Sequence, residues 1–205
     1  MKTLLRVDCS STRTGSHSKE LSDHFEVSWR KTHPQGKVIR RDLIEERIPH
    51  IESNTITGFY ASEEEMTEED KRATALSDQL IAELKEADEI LVSGPMYNLS
   101  VPSALKAYID QVTRVRHTIR VGEQGYYGLL EGKVGYTITT KGGYYKGTES
   151  ELYDFYEPYV KTMLEFIGIK VKGQISLEGT SLDTNLADTK AKIKTEIDQL
   201  IQNKI

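Results

Sequence analysis

Three short stretches carry residue types suited to holding a phosphate and a flat ring. Residues 9–18, Cys-Ser-Ser-Thr-Arg-Thr-Gly-Ser-His-Ser, are almost all hydroxyls with one glycine. Hydroxyls beside the unsatisfied N–H groups of a helix N-terminus make a site for a phosphate. Residues 94–99, Gly-Pro-Met-Tyr-Asn-Leu, place a thioether, an aromatic and an amide after small residues. Residues 140–145, Thr-Lys-Gly-Gly-Tyr-Tyr, again run from small residues to aromatics. Each stretch also has an ordinary reading. Serine and threonine make plain turns and caps. An aromatic at a strand end is often core or rim packing. What separates the two readings is whether the three stretches meet.

The elements around them predict that they do. Short apolar runs over residues 3–8, 36–43, 89–94, 133–140 and 169–177 read as strands. The second is polar enough for an edge. Leu21, Phe25 and Trp29, four apart, mark a helix over 19–31. Thr67 with Asp70 forms a capping box for a helix that carries Leu76, Leu80 and Leu84 to Ala87. Leu105, Ile109 and Val112 place a helix over 102–116, with Pro102 in its first turn and Ser100 as its cap. Further helices are expected over 151–168, stopped by Gly168, and over 182–205. Residues 52–66 read as irregular and 117–132 as loop. The run Glu63-Glu64-Glu65 reads as a solvated loop. Strand and helix alternate five times with no linker, so a single domain over 1–205 is expected. The fold class is α/β: a flavodoxin-like, doubly wound, five-stranded parallel sheet in the order 2-1-3-4-5, with helices on both faces. Ligands of such sheets bind at the carboxyl ends of the strands. All three stretches lie at strand ends.

Composition removes several classes of function. There are 27 basic against 32 acidic side chains, a net charge of −5, and no basic tract. Nucleic acid and membrane surfaces are therefore poor partners. No apolar stretch approaches the ~20 residues of a membrane helix. Arg6 and Asp8 interrupt the first apolar run too early for a signal peptide. The single cysteine, Cys9, excludes an internal disulfide, and a cytoplasmic protein is expected. No Gly-x-Gly-x-x-Gly follows the first strand, and there is no nucleotide triphosphatase loop. No Gly-x-Ser-x-Gly elbow supplies a serine nucleophile. His17, His24, His33, His50 and His117 are not spaced as a metal site.

A phosphate loop on strand 1, with flat side chains and backbone amides on two neighbouring loops, suits a mononucleotide bearing a planar ring. FMN fits that description. Here the chain resembles a known family. Gly94-Pro-Met-Tyr-Asn-Leu-Ser-Val-Pro-Ser-Ala-Leu-Lys, Thr140-Lys-Gly-Gly and Ser16-His-Ser are similar to the FMN-dependent NADH:azoreductases. These are a branch of the flavodoxin-like NAD(P)H quinone oxidoreductases. Glu165-Phe-Ile-Gly-Ile matches the end of the family's fourth helix, and the likeness runs nearly the full length.

The resemblance implies a homodimer with one FMN per subunit near the subunit boundary. It implies NADH as donor, with quinones and azo compounds reduced in two-electron, ping-pong steps. It implies Ser10, Ser16, His17 and Ser18 around the phosphate. It assigns Met96, Tyr97, Asn98, Leu99, Thr140, Lys141, Gly142 and Gly143 to the ring and ribityl chain. The chain departs from the family pattern at His17, where glutamine is frequent, and at Leu99, where an aromatic is. Ile119-Arg120-Val121 and Met163 also stand where aromatics are frequent around the substrate pocket.

Individual residues carry narrower expectations. The Asn98 turn aims its N–H at flavin N5. Lys141, by its charge or the adjacent N–H groups, stabilises negative charge on the reduced ring. His17 beside a phosphate favours its charged form. Cys9 is a small buried residue rather than a redox thiol. Arg114, Arg116 and Arg120 read as a solvated helix end. No side chain is an obligatory acid or base, because hydride transfer needs position more than a protein nucleophile. A flavin or nitroaromatic reductase is the alternative on the same site. A flavodoxin-type electron carrier is the alternative outside enzymes.

Overall fold

In a computed structural model of the chain, residues 1–62 and 64–202 are described. Five strands make the main sheet: β1 (Thr3–Asp8), β2 (Lys37–Asp42), β3 (Glu89–Pro95), β6 (Val134–Thr140) and β7 (Lys170–Leu177). Their order is β2-β1-β3-β6-β7, all parallel, with polar β2 at an edge as expected. Two short strands, β4 (Ile119–Gly122) and β5 (Gly125–Gly128), form a separate antiparallel hairpin. The helices are α1 (His17–Thr32), α2 (Ser53–Tyr60), α3 (Glu68–Glu86), α4 (Ser103–Val112), α5 (Glu157–Phe166) and α6 (Leu186–Gln202).

Side chains alternate across each strand, and the core is accordingly in two layers. Leu5, Val7, Ile90 and Val92 pack with Leu80, Leu84, Leu105 and Val160 of α3, α4 and α5. Leu4, Leu91, Tyr136 and Ile138 pack with Leu21, Phe25 and Trp29 of α1 and Ile197 of α6. Arg6, on that second face, is compensated where it is buried. Its guanidinium meets Asp8 at 2.7 Å, Asp23 at 2.6 Å and Glu26 at 3.3 Å.

Several expectations are corrected. Residues 52–66 are not irregular: they contain α2. Gly58 lets α2 lie against α3, since a Cβ there would come 2.7 Å from Thr74 Cγ2 and 3.2 Å from the Asp70 carbonyl. That close packing, invisible to local pattern, outweighs the weak helix propensity of threonine, isoleucine and glycine. Residues 117–132 contain the β4–β5 hairpin, where the Arg120 guanidinium lies 4.4 Å from the centre of the Tyr127 ring. α4 stops at Val112, short of Arg116. Ser100 does not cap it, because the first-turn boundary falls at Pro102. The helix expected over 151–168 is broken into a 3-10 turn (Glu149–Tyr153) and α5. Asp154 Oδ1 accepts from the Tyr156 N–H at 3.0 Å and the Glu157 N–H at 3.2 Å, which starts α5 afresh. The Thr67–Asp70 capping box of α3 is present in both directions. α6 begins at Leu186, later than expected; residues 203–205, the end of that expectation, and Glu63 of the acidic run lie outside the described residues.

Candidate flavin site

The three stretches meet at the carboxyl edge of the sheet. Asp8 at the end of β1 registers with Ser93, and Pro95 at the end of β3 with Thr140. The Met96 N–H donates to the Thr140 carbonyl at 2.8 Å, so the second and third stretches are stitched together.

The first stretch wraps the start of α1. Ser16 is its N-cap and accepts from the Lys19 N–H at 3.3 Å, so the helix starts two residues earlier than its apolar face indicated. The Ser16 hydroxyl also reaches Ser10 Oγ at 2.9 Å and Ser18 Oγ at 3.2 Å. Three hydroxyls thus cluster at the positive end of a helix dipole. Among the described residues no protein acceptor takes the N–H groups of His17 or Ser18. Partial burial, with the nearby Lys190 charge, holds the His17 imidazole below its ordinary value against the pull of Glu20. In the protein alone the charged form expected of His17 is therefore disfavoured. Beneath the loop, Asp8 accepts from Ser93 Oγ and from Arg6 Nε, each at 2.7 Å. Burial still pushes its carboxyl above the ordinary range.

The second stretch ends in a two-residue turn. Tyr97 and Ser100 exchange backbone hydrogen bonds at 3.1 Å in both directions, and Asn98 and Leu99 between them have φ of 47° and 71°. Both central residues are left-handed, the signature of a type I′ turn. Asparagine tolerates this. Leucine does so at a cost of about 1 kcal/mol, and strain of this kind gathers at functional sites. The Phe155 N–H fastens the turn by donating to the Leu99 carbonyl at 3.0 Å. Gly94 is required just before it: a Cβ there would sit 2.0 Å from Cys9 Sγ and 3.2 Å from the Tyr156 hydroxyl. Cys9 is a buried free thiol, pushed up to about 12 by burial, and plays the packing role expected of it.

The third stretch is held by Lys141. Its side chain is 1% exposed, and Nζ lies 2.6 Å from Asp154, 2.8 Å from Glu157 and 3.0 Å from Glu178. The Glu157 contact is an ion pair outside hydrogen-bond geometry. Burial works against the charge, yet the carboxylates hold the ammonium above the ordinary lysine range. One cation facing three anions has little field left for a ring. Glu178 also accepts from the Tyr145 N–H at 2.9 Å. The Gly142 and Gly143 carbonyls accept from Ser181 and Gly179. Among the described residues, no protein acceptor takes the N–H groups of Asn98, Leu99, Gly142 or Gly143. Beside the turn, a cleft of about 580 Å³ opens between Ser100, Val101, Asp154, Phe155 and Tyr159.

Sequence reasoning missed the three acids around Lys141 and the Phe155 strap. Nothing local links residues 141, 154, 157 and 178; an acid directly after the last strand was the one available signal. It also misread Arg114, which is buried at 3% exposure. Its guanidinium pairs with Asp78 at 2.5 Å and lies 4.5 Å from the centre of the Phe59 ring. Arg116 donates to the Ala61 carbonyl at 3.2 Å.

The site's parts fit FMN: a hydroxyl-lined helix terminus for a phosphate, and two loops with unclaimed amides and flat side chains for a ring. Comparisons with known proteins agree. The flavodoxin-like fold family matches residues 1–202. The FMN-dependent NADH:quinone oxidoreductase of Xanthobacter autotrophicus is 42% identical over 172 residues, 83% of each chain. That of Nostoc punctiforme is 37% identical over 204 residues, 97% of this chain and 100% of the relative. The crystal structure of azoreductase AzrA superposes with a TM-score of 0.91 at 25% identity, covering 97% of this chain and 98% of that one. An FMN-dependent NADH-azoreductase of Bacillus anthracis, solved with FMN, shares the fold with a TM-score of 0.88 at 22% identity, covering 98% of both. By sequence and by architecture, the chain belongs to the flavodoxin-like fold family and, within it, to the FMN-dependent NADH:quinone oxidoreductases.

Proposed function

We propose that the protein is an FMN-dependent oxidoreductase that uses NADH to reduce quinones and aromatic azo compounds. The observation that carries this is the meeting, at the ends of β1, β3 and β6, of three loops in which the N–H groups of His17, Ser18, Asn98, Leu99, Gly142 and Gly143 have no protein acceptor among the described residues. When bound, FMN supplies the two-electron redox chemistry between a nicotinamide and a quinone or azo bond. The chain's residues bind and orient it. Ser10, Ser16, Ser18 and the first N–H groups of α1 hold the phosphate, with His17 beside them. Met96, Tyr97, Asn98 and Leu99 would form one wall of the ring site, with the Asn98 N–H as a donor toward the ring. Thr140, Lys141, Gly142 and Gly143 form the other, where the glycine N–H groups supply the charge stabilisation. Lys141 acts by holding this loop in place. The reading carries ping-pong kinetics, in which NADH would leave before the quinone or azo acceptor enters. No side chain is assigned as an acid or base.

A second copy of the chain closes the site. Leu99 in the turn and Phe155 in the cleft beside it are both exposed and suit burial against a partner. Sedimentation of the FMN-loaded protein tests this, and a fully active monomer rules it out. No helix among the described residues is long and apolar enough to cross a membrane. We assign the enzyme to the cytoplasm, where NADH is available.

The deciding experiment measures FMN content and NADH consumption with a simple quinone and no partner protein. Yellow protein that turns over supports an oxidoreductase. Yellow protein that does not turn over is a carrier of the flavodoxin type, and colourless protein that takes up no FMN sinks both readings. Comparing quinones, azo dyes, free flavins and nitroaromatics separates the leading reading from a flavin or nitroaromatic reductase. The long connections over residues 45–66 and 117–132 suit an enclosed substrate pocket better than the exposed ring edge a carrier needs.

A further inference from the structure

Beside the candidate phosphate loop is a second cleft, of about 230 Å³, that the flavin site does not use. Arg13, Arg47 and His50 line it, over a floor that includes Leu43, Ile48 and Ala104. All three polar side chains are exposed, and none makes a hydrogen bond or ion pair with another described residue. Of the acids close by in sequence, Asp42 pairs with Lys19 at 2.6 Å and Glu46 with Arg41, and neither Glu45 nor Glu52 lines the cleft. The chain is acidic overall, so two unpaired guanidiniums and an imidazole around one apolar floor form a local reversal of its charge. A guanidinium presents a planar fork that matches phosphate and sulfonate oxygens. An apolar floor beneath such forks suits an aromatic body attached to the anion. Position adds a direction. Arg13 lies in the same loop as Ser10 and Ser16, and Ala104 lies in the first turn of α4, just after the 96–99 turn.

We propose that this cleft is an anion subsite for a substrate whose reacting ring lies at the 96–99 turn. It takes a phosphate or sulfonate carried on an aromatic group. Two sources share that chemistry: the adenosine diphosphate half of the nicotinamide donor, and a sulfonated aromatic acceptor. The proposal rests on the reductase reading for its substrates, but the cleft can be titrated without turnover. The protein is purified, supplemented with FMN and titrated calorimetrically with ADP-ribose, which carries the donor's diphosphate without its nicotinamide. 2-Naphthalenesulfonate is titrated in parallel, with 2-naphthol as the uncharged control. The expected result is saturable binding of at least one anion, weakened about tenfold or more in the double variant R13Q/R47Q and weakened by added salt. 2-Naphthol shows no such difference. Weakening of ADP-ribose alone identifies a donor subsite; weakening of the sulfonate alone identifies an acceptor subsite. In turnover, kcat/KM for that one substrate falls by a similar factor while kcat with an uncharged quinone holds. Absence of saturable binding by the wild-type protein, or equal affinities in wild type and variant, overturns the proposal. FMN content and turnover with the neutral quinone report separately on the reductase reading.

Discussion

Replacing Lys141 with methionine keeps the length of the side chain and removes its charge. In the wild-type protein the ammonium is almost fully enclosed, within 3.0 Å of Asp154, Glu157 and Glu178. Those carboxylates have side-chain exposures of 11%, 23% and 14%. The substitution leaves them facing one another with no cation among them. Removing one partner of a buried ion pair costs about 3–5 kcal/mol, and the partial exposure of these acids favours the lower end, about 3 kcal/mol. For a chain of this length that lowers the melting temperature by about 6–12 °C. The damage is also local. Asp154 starts α5 and Phe155 straps the Asn98–Leu99 turn, while Glu178 holds the backbone at Tyr145. Loss of the ammonium thus loosens both ring loops, and FMN affinity falls by about tenfold or more. The assays are thermal unfolding of the protein without FMN, and FMN titration followed by flavin fluorescence. Adding Glu157→Gln to K141M removes one of the opposed charges and recovers part of the stability. Melting and FMN affinity both equal to wild type would refute the reasoning. A flavin reduction potential that falls while both hold would instead give the ammonium a direct effect on the ring.

Three further outcomes are expected. FMN binds more tightly as pH falls below 7, because the free protein disfavours the His17 imidazolium and a bound phosphate favours it. The phosphate titrates near pH 6 itself, so the measurement is the difference between wild type and His17→Gln; identical profiles between about pH 5.5 and 8 reject the role. Asn98→Ala costs about 1 kcal/mol in urea unfolding, since alanine tolerates φ of 47° poorly. Asn98→Gly keeps the turn and its N–H, and so retains FMN affinity; equal loss in both variants would shift the role to the amide side chain. Gly94→Ala drives a methyl group into Cys9 Sγ and costs about 1–3 kcal/mol by overpacking. Cys9→Ala in the same chain removes the obstructing sulfur, and a double variant no more stable than Gly94→Ala alone would show that the clash lies elsewhere.

The sequence by itself determined the sheet and which strand ends carry the candidate site. Five apolar runs separated by helical patterns admit few arrangements in a parallel sheet, and ligands of such sheets bind at the strand ends. Leu4 and Leu5 point to opposite core layers because strand periodicity allows nothing else. The hydroxyl run and the residues of the 96–99 and 140–143 loops were legible for the same reason: their types and order along the chain are local facts. Only the tertiary structure decided how those loops are held. α2 exists because Gly58 admits α3, and the β4–β5 hairpin is seated because Gly128 lets it lie against Ile167 and Gly168. Lys141 reads locally as a free cation near a ring. In the fold, acids 13, 16 and 37 residues further along the chain surround it, and no local pattern encodes contacts closed over such distances. The same holds for Arg114, whose carboxylate partner is 36 residues away. Residue type and period set which elements form and which edge binds. Burial, and the pairing of charges it enforces, sets what each side chain at that edge is free to do.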